Sequence, residues 1–342
     1  MKGKRRKSPA EWLSARWYGT RPAWFLWPLA VLFRLLAWLR RSLYRLGLFR
    51  TRQVAARVVV VGNITVGGSG KTPLVAWLAR ELSAAGVKTG IVTRGYGGNR
   101  NDVRLIRTDA SADEAGDEPL WLARETAVPV VAGRDRAAAA RYLVESHRPD
   151  VVVSDDGLQH YRLVRDVEIA AIDARRGFGN GALLPAGPLR EMPSRLERVN
   201  AVVLKGRGQV ALPPGVTVFN MLLSVSRALP VGGGESVPLA HFRGKPVHAV
   251  AAIADPEGFF VVLEAAGLEV ERHPLPDHAP IDSTLEMLGT GRPILLTDKD
   301  AARLAERPVN AWRVPLAIGF SGEDAAGLLA LAGGPHFFME ES

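Results

Sequence analysis

The sequence predicts an α/β protein built on a largely parallel sheet, with a second, smaller α/β domain and a helix at the N-terminus. Short β-branched runs alternate with helical stretches from residue 57 onward, which is typical of parallel sheets covered on both faces. A glycine-rich turn follows the first of these runs, and a basic, tryptophan-rich arm precedes it. We expect three parts: an arm at 1–50, a main domain at 51–225 and a smaller domain at 226–342.

Composition is that of an ordinary folded protein, since 47% of the 342 residues are hydrophobic and 23% are charged. These values argue against a disordered, collagenous or polytopic membrane protein. The chain has no cysteine. Disulfides, thiolate zinc sites, iron–sulfur clusters and a cysteine nucleophile are therefore excluded.

Positive charge is concentrated in the arm. Residues 1–52 contain thirteen Lys/Arg and one acid, whereas the rest of the chain has a net charge of −3. Five of the eight tryptophans also lie in this arm. A basic segment rich in tryptophan indicates a membrane surface, whereas a nucleic-acid binder usually spreads its basic residues over the folded domain. We expect no nucleic-acid partner.

The apolar part of the arm is an uncharged run at 23–33, interrupted for a helix only by Pro28. Eleven residues are too few to cross a bilayer, which needs about 20. On a helix, Arg34, Arg41 and Arg45 fall close to one line, away from most of the apolar side chains. We expect a membrane-associated helix at the interface. A single span and a helix docked on the protein's own core remain open, and no small-residue site for signal-peptide cleavage precedes the arginines.

The elements of the main domain follow in βα order. Strands are predicted at 58–61, 90–93, 128–132, 151–153, 167–172 and 201–204, and helices at 71–85, 120–126 and 137–146. An extended stretch at 216–225 and a glycine-rich stretch at 231–236 mark the domain boundary. In the second domain, strands are predicted at 247–252 and 293–296, and helices at 256–267 and 301–305.

A phosphate-binding loop is predicted between the first strand and the first helix of the main domain. Residues 62–73 read GNITVGGSGKTP, which fits the Walker A pattern except that Thr65 replaces its leading glycine. Glycines allow backbone N–H groups to surround phosphate oxygens, and the helix N-terminus adds its positive dipole end. This predicts a P-loop NTPase-like core. The candidate nucleotide-binding residues are Thr65, Gly67, Gly68, Ser69, Gly70, Lys71 and Thr72.

Two carboxylates, Asp155 and Asp156, follow the apolar strand at 151–153. They resemble a Walker B element, whose carboxylate holds Mg²⁺ at the carboxyl edge of the sheet. Two other stretches are less specific. Acids and a proline at 116–119 are typical of a helix start, and His278 in a proline-rich loop has the composition of a surface residue.

Taken together, these motifs make the chain resemble the tetraacyldisaccharide 4'-kinases, the lipid A 4'-kinases of Gram-negative envelope biosynthesis. The similar stretches are 62–73, 93–97, 116–119, 133–136, 155–160, 184–191 and 298–301. Two stretches depart from the family pattern. Ala279 stands where the family has a second histidine, and residues 252–256 read AIADP in place of a glycine-containing stretch.

The resemblance implies transfer of the γ-phosphate of ATP, with Mg²⁺, to the 4'-hydroxyl of a tetraacylated glucosamine disaccharide 1-phosphate. The acceptor's acyl chains lie in the inner membrane, so we expect a monomeric enzyme docked peripherally or monotopically on its cytoplasmic face. The resemblance also suggests catalytic roles: Asp117 is the expected base, oriented by His278 across a cleft between the domains, and Lys71 stabilises the transferring phosphate. Asp155 and Asp156 are expected on the metal and phosphate side, and Asp156 is also counted among the candidate catalytic residues. The expected metal ligands are Thr72, Asp155 and Glu118, and the division of roles among the four carboxylates stays open.

Two other classes of protein remain. A membrane-surface ATPase of the partition or assembly type shares a similar loop and an amphipathic anchor, but it hydrolyses ATP without a lipid acceptor. A GTP-dependent metal-insertion chaperone requires a guanine-specifying Asn/Thr-Lys-x-Asp element, which Asp298-Lys299-Asp300 matches only faintly. The absence of cysteine or of a histidine cluster in the sequence argues against metal handling.

Overall fold

The structure is a computed structural model that describes residues 9–19, 23–95, 102–206, 208–253, 255–276, 279–304 and 308–334. Two compact units are present: Met1–Met221 together with Phe320–Ser342, and Leu222–Gly319. Both units are mixed α/β structures with a parallel sheet at the core, as the sequence predicts.

The described helices and strands alternate along most of the chain. The helices are α1 Pro9–Trp17, α2 Trp27–Arg45, α3 Lys71–Ala84, α4 Ala112–Ala115, α5 Asp117–Thr126, α6 Arg136–His147, α7 Pro256–Ala265, α8 Asp282–Leu288, α9 Asp298–Ala301 and α10 Gly322–Gly333. The strands are β1 Arg57–Gly62, β2 Thr89–Thr93, β3 Arg104–Leu105, β4 Val130–Ala132, β5 Val151–Asp155, β6 Val167–Asp173, β7 Ala201–Lys205, β8 Val218–Ser224, β9 Arg227–Pro230, β10 Val237–Pro238, β11 Pro246–Ala251, β12 Glu269–Pro274, β13 Ile294–Thr297, β14 Ala311–Val314 and β15 Ala317–Gly319.

In the first unit the strand order is β8-β7-β6-β1-β5-β2-β4-β3, and every pair is parallel except β3 with β4. The central strands β1 and β5 are almost wholly buried, which explains their unbroken runs of valine. Their register pairs Val61 with Asp155. The loop after β1 and the carboxylates after β5 therefore emerge together at the carboxyl edge of the sheet.

The second unit has a six-stranded sheet in the order β10-β9-β14-β13-β11-β12. Strands β12, β11, β13 and β14 are parallel, and β9 and β10 are antiparallel additions. The second half of β8, from Leu222, also belongs to this unit and pairs antiparallel with β15. Apolar clusters cover both faces of the sheet, one around Phe259 and Phe260 and the other around Ile281 and Leu285.

The unit boundaries differ from the predicted domains at the C-terminus, because the chain returns to the first unit at Phe320. Arg57 at the start of β1 donates hydrogen bonds to the carbonyls of Ala332 and Leu331, at 3.0 and 3.2 Å. The rings of Trp77 and Phe320 pack with centroids 4.4 Å apart. These contacts join residues more than 200 positions apart, so no local pattern predicts them. The helix predicted at 301–305 is also displaced, since α9 ends at Ala301 and residue 305 lies outside the described ranges.

The arm belongs to the first unit, and α2 lies with one face on its core. Pro28 is accommodated in the first turn of α2, where its missing N–H has no intrahelical role. Ala30 is buried, and Leu26 and Phe33 pack against the core cluster. The other side of the arm is an exposed apolar face formed by Trp24, Phe25, Trp27, Leu29, Val31, Leu32, Leu35, Leu36, Trp38 and Leu39. Among the helices in the described ranges, none combines the length and apolar character needed to cross a bilayer.

Candidate active site

The glycine-rich loop joins the end of β1 at Gly62 to the start of α3 at Lys71. Gly67 and Gly70 have φ values of +115° and +81°, in the region that favours glycine. A Cβ atom on Gly70 would also lie only 2.8 Å from Met221 Cε. The loop thus places the N-terminus of the 14-residue helix α3 at the edge of the sheet. The free backbone N–H groups of a helix N-terminus attract anions.

Thr65, which replaces the usual leading glycine, has a structural partner in Asn63. The Asn63 side chain is fully buried and donates from Nδ2 to Thr65 Oγ1 at 2.7 Å, while the Thr65 backbone N–H donates to Asn63 Oδ1 at 3.0 Å. The Gln159 side chain in turn donates to the Asn63 carbonyl at 3.1 Å. Hydrogen bonds between Asn63 and Thr65 therefore stabilise this turn. In the usual pattern, a glycine at this position allows the turn through its conformational freedom.

Lys71 lies next to the second carboxylate of the acidic pair. Its Nζ atom is 3.6 Å from Asp156 Oδ1, and Arg190 Nη1 is 3.0 Å from the same oxygen. Burial alone would raise the pKa of Asp156, but Lys71 and Arg190 outweigh it, and the pKa lies below its ordinary value. Asp156 is thus an ionised carboxylate between two cations.

Asp155 has a different environment from its neighbour. Its side chain is 3% exposed, and Oδ1 has no hydrogen-bond partner among the described residues. Burial first, and the charge of Glu118 second, raise the pKa of Asp155 to about 7 against the opposing effect of Lys71. A buried carboxylate oxygen without a partner is energetically costly unless a cation or a proton satisfies it.

Arg136, at the start of α6, is a nearly fully buried cation beside this pair. It donates to the carbonyls of Gly133 and Asp155, at 2.8 and 3.1 Å. Burial lowers the pKa of Arg136 to about 10, although Asp155 and Asp156 oppose the shift. The guanidinium remains charged at neutral pH. Burial, with Arg136 nearby, lowers the pKa of His160 to about 4, so this imidazole is neutral.

Glu191 connects the acidic site to the arm. This carboxylate is 4% exposed and accepts hydrogen bonds from Gln159 Nε2 at 2.8 Å and from the Tyr161 hydroxyl at 3.0 Å. It also forms an ion pair with Arg41 of α2, and Arg195 Nε lies 3.5 Å away. The same glutamate therefore holds α2, the segment after Asp156 and, through Gln159, the glycine-rich loop.

The structure brings Lys71, Asp155 and Asp156 together at one edge of the sheet, with Glu118 close enough to act on Asp155. Gly68 is exposed in the loop, and Ser69 Oγ is buried with no hydrogen-bond partner among the described residues. Thr72 follows Lys71 in the first turn of α3.

Two predicted catalytic residues are not joined to this group. Asp117 is exposed at the first residue of α5 and has no ion-pair partner in the described part of the chain. His278 lies outside the described residues. Conversely, sequence reasoning assigned no role to Arg136, Arg190 or Glu191, although all three occur in stretches that resemble the family.

Comparisons with known proteins agree on one family. The family model described as "Tetraacyldisaccharide-1-P 4'-kinase" matches residues 22–331. A protein of Azoarcus sp. (strain BH72) named tetraacyldisaccharide 4'-kinase is 47% identical over 322 residues, covering 90% of each chain. A protein of the same name from Aromatoleum aromaticum is 46% identical over 316 residues, covering 91% of this chain and 93% of the relative.

A solved structure is also similar: the "apo" form of LpxK from Aquifex aeolicus in complex with ATP, determined at 2.2 Å. Its TM-score is 0.73 at 29% sequence identity, covering 89% of this chain and 96% of that one. The matches extend through both units and include the glycine-rich loop and the acidic pair. The chain therefore belongs to the tetraacyldisaccharide-1-P 4'-kinase family.

Proposed function

We propose that this protein transfers the γ-phosphate of ATP to the 4'-hydroxyl of a tetraacylated glucosamine disaccharide 1-phosphate, a precursor of lipid A. The observation that supports this most directly is the position of Lys71. It opens a helix behind a glycine-rich loop and faces the ionised Asp156, next to Asp155, whose buried Oδ1 has no hydrogen-bond partner among the described residues. That arrangement suits phosphoryl transfer, in which catalysis consists largely of positioning and charge stabilisation.

The nucleotide's phosphates would lie on the N–H groups of the loop, with Thr65, Gly67, Gly68, Ser69, Gly70 and Thr72 around them. Lys71 and Arg190 both pair with Asp156 in the present structure. Either Lys71 or Arg190 can leave Asp156 and bind a phosphate oxygen. Asp156 is then still paired with the remaining cation, so no buried charge is left unpaired. Developing charge on the γ-phosphate would then be stabilised by Lys71.

The donor set fits Mg²⁺, which prefers carboxylate and hydroxyl oxygens. Asp155 Oδ1 is buried without a hydrogen-bond partner in the described residues, and Glu118 adds a second carboxylate close by. The residues that would hold the ion are Asp155, Glu118 and Thr72. When bound, Mg²⁺ neutralises charge on the phosphate oxygens. Asp155, whose pKa is raised mainly by burial, would release its proton on binding the ion.

The acceptor hydroxyl requires a base, and we assign Asp117. It is an exposed carboxylate at the N-terminus of α5, open to a substrate that arrives from outside. In the proposed step the 4'-oxygen forms a bond to the γ-phosphorus, the bond to the bridging oxygen of ADP breaks, and the hydroxyl proton passes to Asp117. His278 is proposed to orient that carboxylate. Asp156 is proposed to keep Lys71 in place.

We also propose that the arm docks the protein on the cytoplasmic face of the inner membrane, where a monomer reaches its lipid acceptor. The exposed apolar face of the arm includes Trp24, which is 77% exposed, and Trp38 of α2, which is 64% exposed. Arg34 and Arg40 lie exposed among these apolar side chains. Amphipathic helices with tryptophan and arginine bind at the interface through apolar burial and attraction to anionic lipids.

ATP consumption measured with and without the disaccharide lipid tests the proposed reaction. A kinase consumes ATP in proportion to the phosphorylated lipid formed and little in its absence. A membrane-surface ATPase would consume ATP at the same rate without the acceptor, and that outcome would contradict the proposal. The family match favours the kinase over this alternative.

Sedimentation with vesicles containing anionic lipid tests the docking proposal. Leu36→Glu, in the exposed apolar face, is expected to reduce the bound fraction strongly. Met287→Glu changes an equally apolar side chain, 81% exposed, on α8 of the second unit and serves as the matched control. Equal binding of both variants would show that this face is not the membrane contact.

A further inference from the structure

A cluster of potential metal ligands lies in the second unit, on the sheet formed by β11 and β12. His248 and Glu271 are paired in register, and His273 follows two residues later on β12. Side chains two residues apart in a strand share a face, so all three lie on the same side of the sheet. His248 lies 23 and 25 positions before Glu271 and His273 in the chain, which is why the sequence shows no histidine cluster.

The ligand atoms are spaced as a tetrahedral metal site requires. His248 Nδ1 is 3.1 Å from His273 Nε2 and 3.5 Å from Glu271 Oε2, and His273 Nε2 is 3.8 Å from Glu271 Oε1. A Zn²⁺ ion with ligands at about 2.0–2.1 Å in a tetrahedron separates its ligand atoms by about 3.3 Å. The three observed distances bracket that value.

Burial and charge around the cluster also fit a metal site. Glu271 is exposed to solvent, so an ion can reach the site. His248 is 8% exposed, so burial restricts the movement of this ligand. Arg292 Nη1 lies 3.2 Å from Glu271 Oε2 and orients the carboxylate, as outer partners of metal ligands commonly do.

We propose that His248, Glu271 and His273 form a binding site for a transition-metal dication of the Zn²⁺ class, with water completing the coordination. Two imidazole nitrogens and one carboxylate oxygen favour zinc over Mg²⁺ or Ca²⁺, which take oxygen ligands. The site joins β12, an edge strand of its sheet, to the more central β11. Bound metal therefore links the edge strand to its neighbour and restrains it.

Zinc titration of the full chain without a polyhistidine tag, in excess Mg²⁺ to saturate oxygen-only sites, tests the proposal. Wild-type protein is expected to bind one equivalent, and Co²⁺ in its place is expected to show the visible absorption of tetrahedral coordination. His273→Gln and the more exposed Glu271→Gln should each weaken binding at least tenfold. His147→Gln, which changes an exposed histidine at the end of α6, is the matched control and should bind like wild type.

Hydrogen exchange gives a second measurement that does not depend on catalysis. Zinc should slow amide exchange in residues 269–274 of the wild type and leave it unchanged in His273→Gln. Circular dichroism of each variant, compared with wild type, identifies any loss of folding, and Glu271→Gln remains informative if His273→Gln does not fold. Absence of a bound equivalent, or equal affinity in wild type and the folded variants, would overturn the proposal.

Discussion

Replacing Glu191 with glutamine tests how the arm is connected to the acidic site. Among the described residues, the carboxylate contacts four donor side chains: Gln159, Tyr161, Arg41 and Arg195. A glutamine has the same shape, but its NH₂ group must face one of these donors in either orientation. Glu191→Gln therefore loses at least one charge-assisted hydrogen bond, and the two arginines lose their shared counter-charge.

The expected decrease in the free energy of unfolding follows from how deeply the partners of Glu191 are buried. Removing one partner of a buried ion pair costs about 3–5 kcal/mol, and a hydrogen bond to a charged group is worth about 1.5–3 kcal/mol. Arg195 retains Glu168, at 2.5 Å, and the Arg41 side chain is 24% exposed, so both arginines are partly compensated. We take the lower end, about 3 kcal/mol, which corresponds to a fall of about 10 °C in melting temperature for a unit of this size.

Thermal unfolding of the first unit, followed by tryptophan fluorescence, measures the loss. Hydrogen exchange should show faster exchange in residues 27–45 of Glu191→Gln, because α2 has lost its ion pair. Glu197→Gln is the matched control: this glutamate is exposed in the short helical segment 193–198 that follows Glu191, and its replacement should change stability by less than about 0.5 kcal/mol. A Glu191→Gln protein that melts within 2 °C of wild type, by the same approximate scale, would refute the reasoning.

Three further predictions concern catalysis and pH. Lys71→Ala should lower kcat at least about a hundredfold without unfolding the protein. Near-normal kinase activity in a protein with wild-type circular dichroism would contradict its role. Asp117→Ala and His278→Ala should each lower kcat strongly, and the double variant should be little worse than the poorer single one. Fully multiplicative losses in kcat would assign them separate roles. The pKa of His160 is lowered to about 4 by burial and Arg136, against about 6.5 when unfolded, so its contribution to stability is present above pH 6.5 and is lost as the pH falls toward 4. Melting temperatures between pH 7.5 and 4.5 should fall less steeply for His160→Gln, and equal slopes would argue against this assignment.

The parts of the fold that the sequence predicts well are those with strong local patterns. The valine runs of β1 and β5 indicate buried parallel strands, and the glycine loop indicates the start of α3 to the residue. Strand β12 was not predicted, because it is an edge strand whose residues are largely polar. Its sequence, EVERHP, lacks the apolar run that identifies a buried strand.

The part of the candidate site that the sequence predicts also depends on local patterns. Lys71, Asp155 and Asp156 each follow a recognisable strand, and their proximity follows from parallel pairing. The partners that set their charge state could not be read from spacing, since Arg190 is 34 residues from Asp156 and Arg136 is 19 residues from Asp155. The roles of Asp117, Glu118, Thr72 and His278 remain predictions.

The return of the chain to the first unit at Phe320 has a consequence for biosynthesis. Trp77 of α3 and Arg57 of β1 meet their partners Phe320, Leu331 and Ala332 only after the whole second unit has been translated. The helix that begins at the nucleotide loop therefore leaves the ribosome long before its packing partner. A nascent chain stalled at residue 319, or a frameshift there, would leave the first unit incomplete despite an intact phosphate loop. Truncation near the C-terminus would thus remove packing contacts from α3 and β1, far away in the sequence.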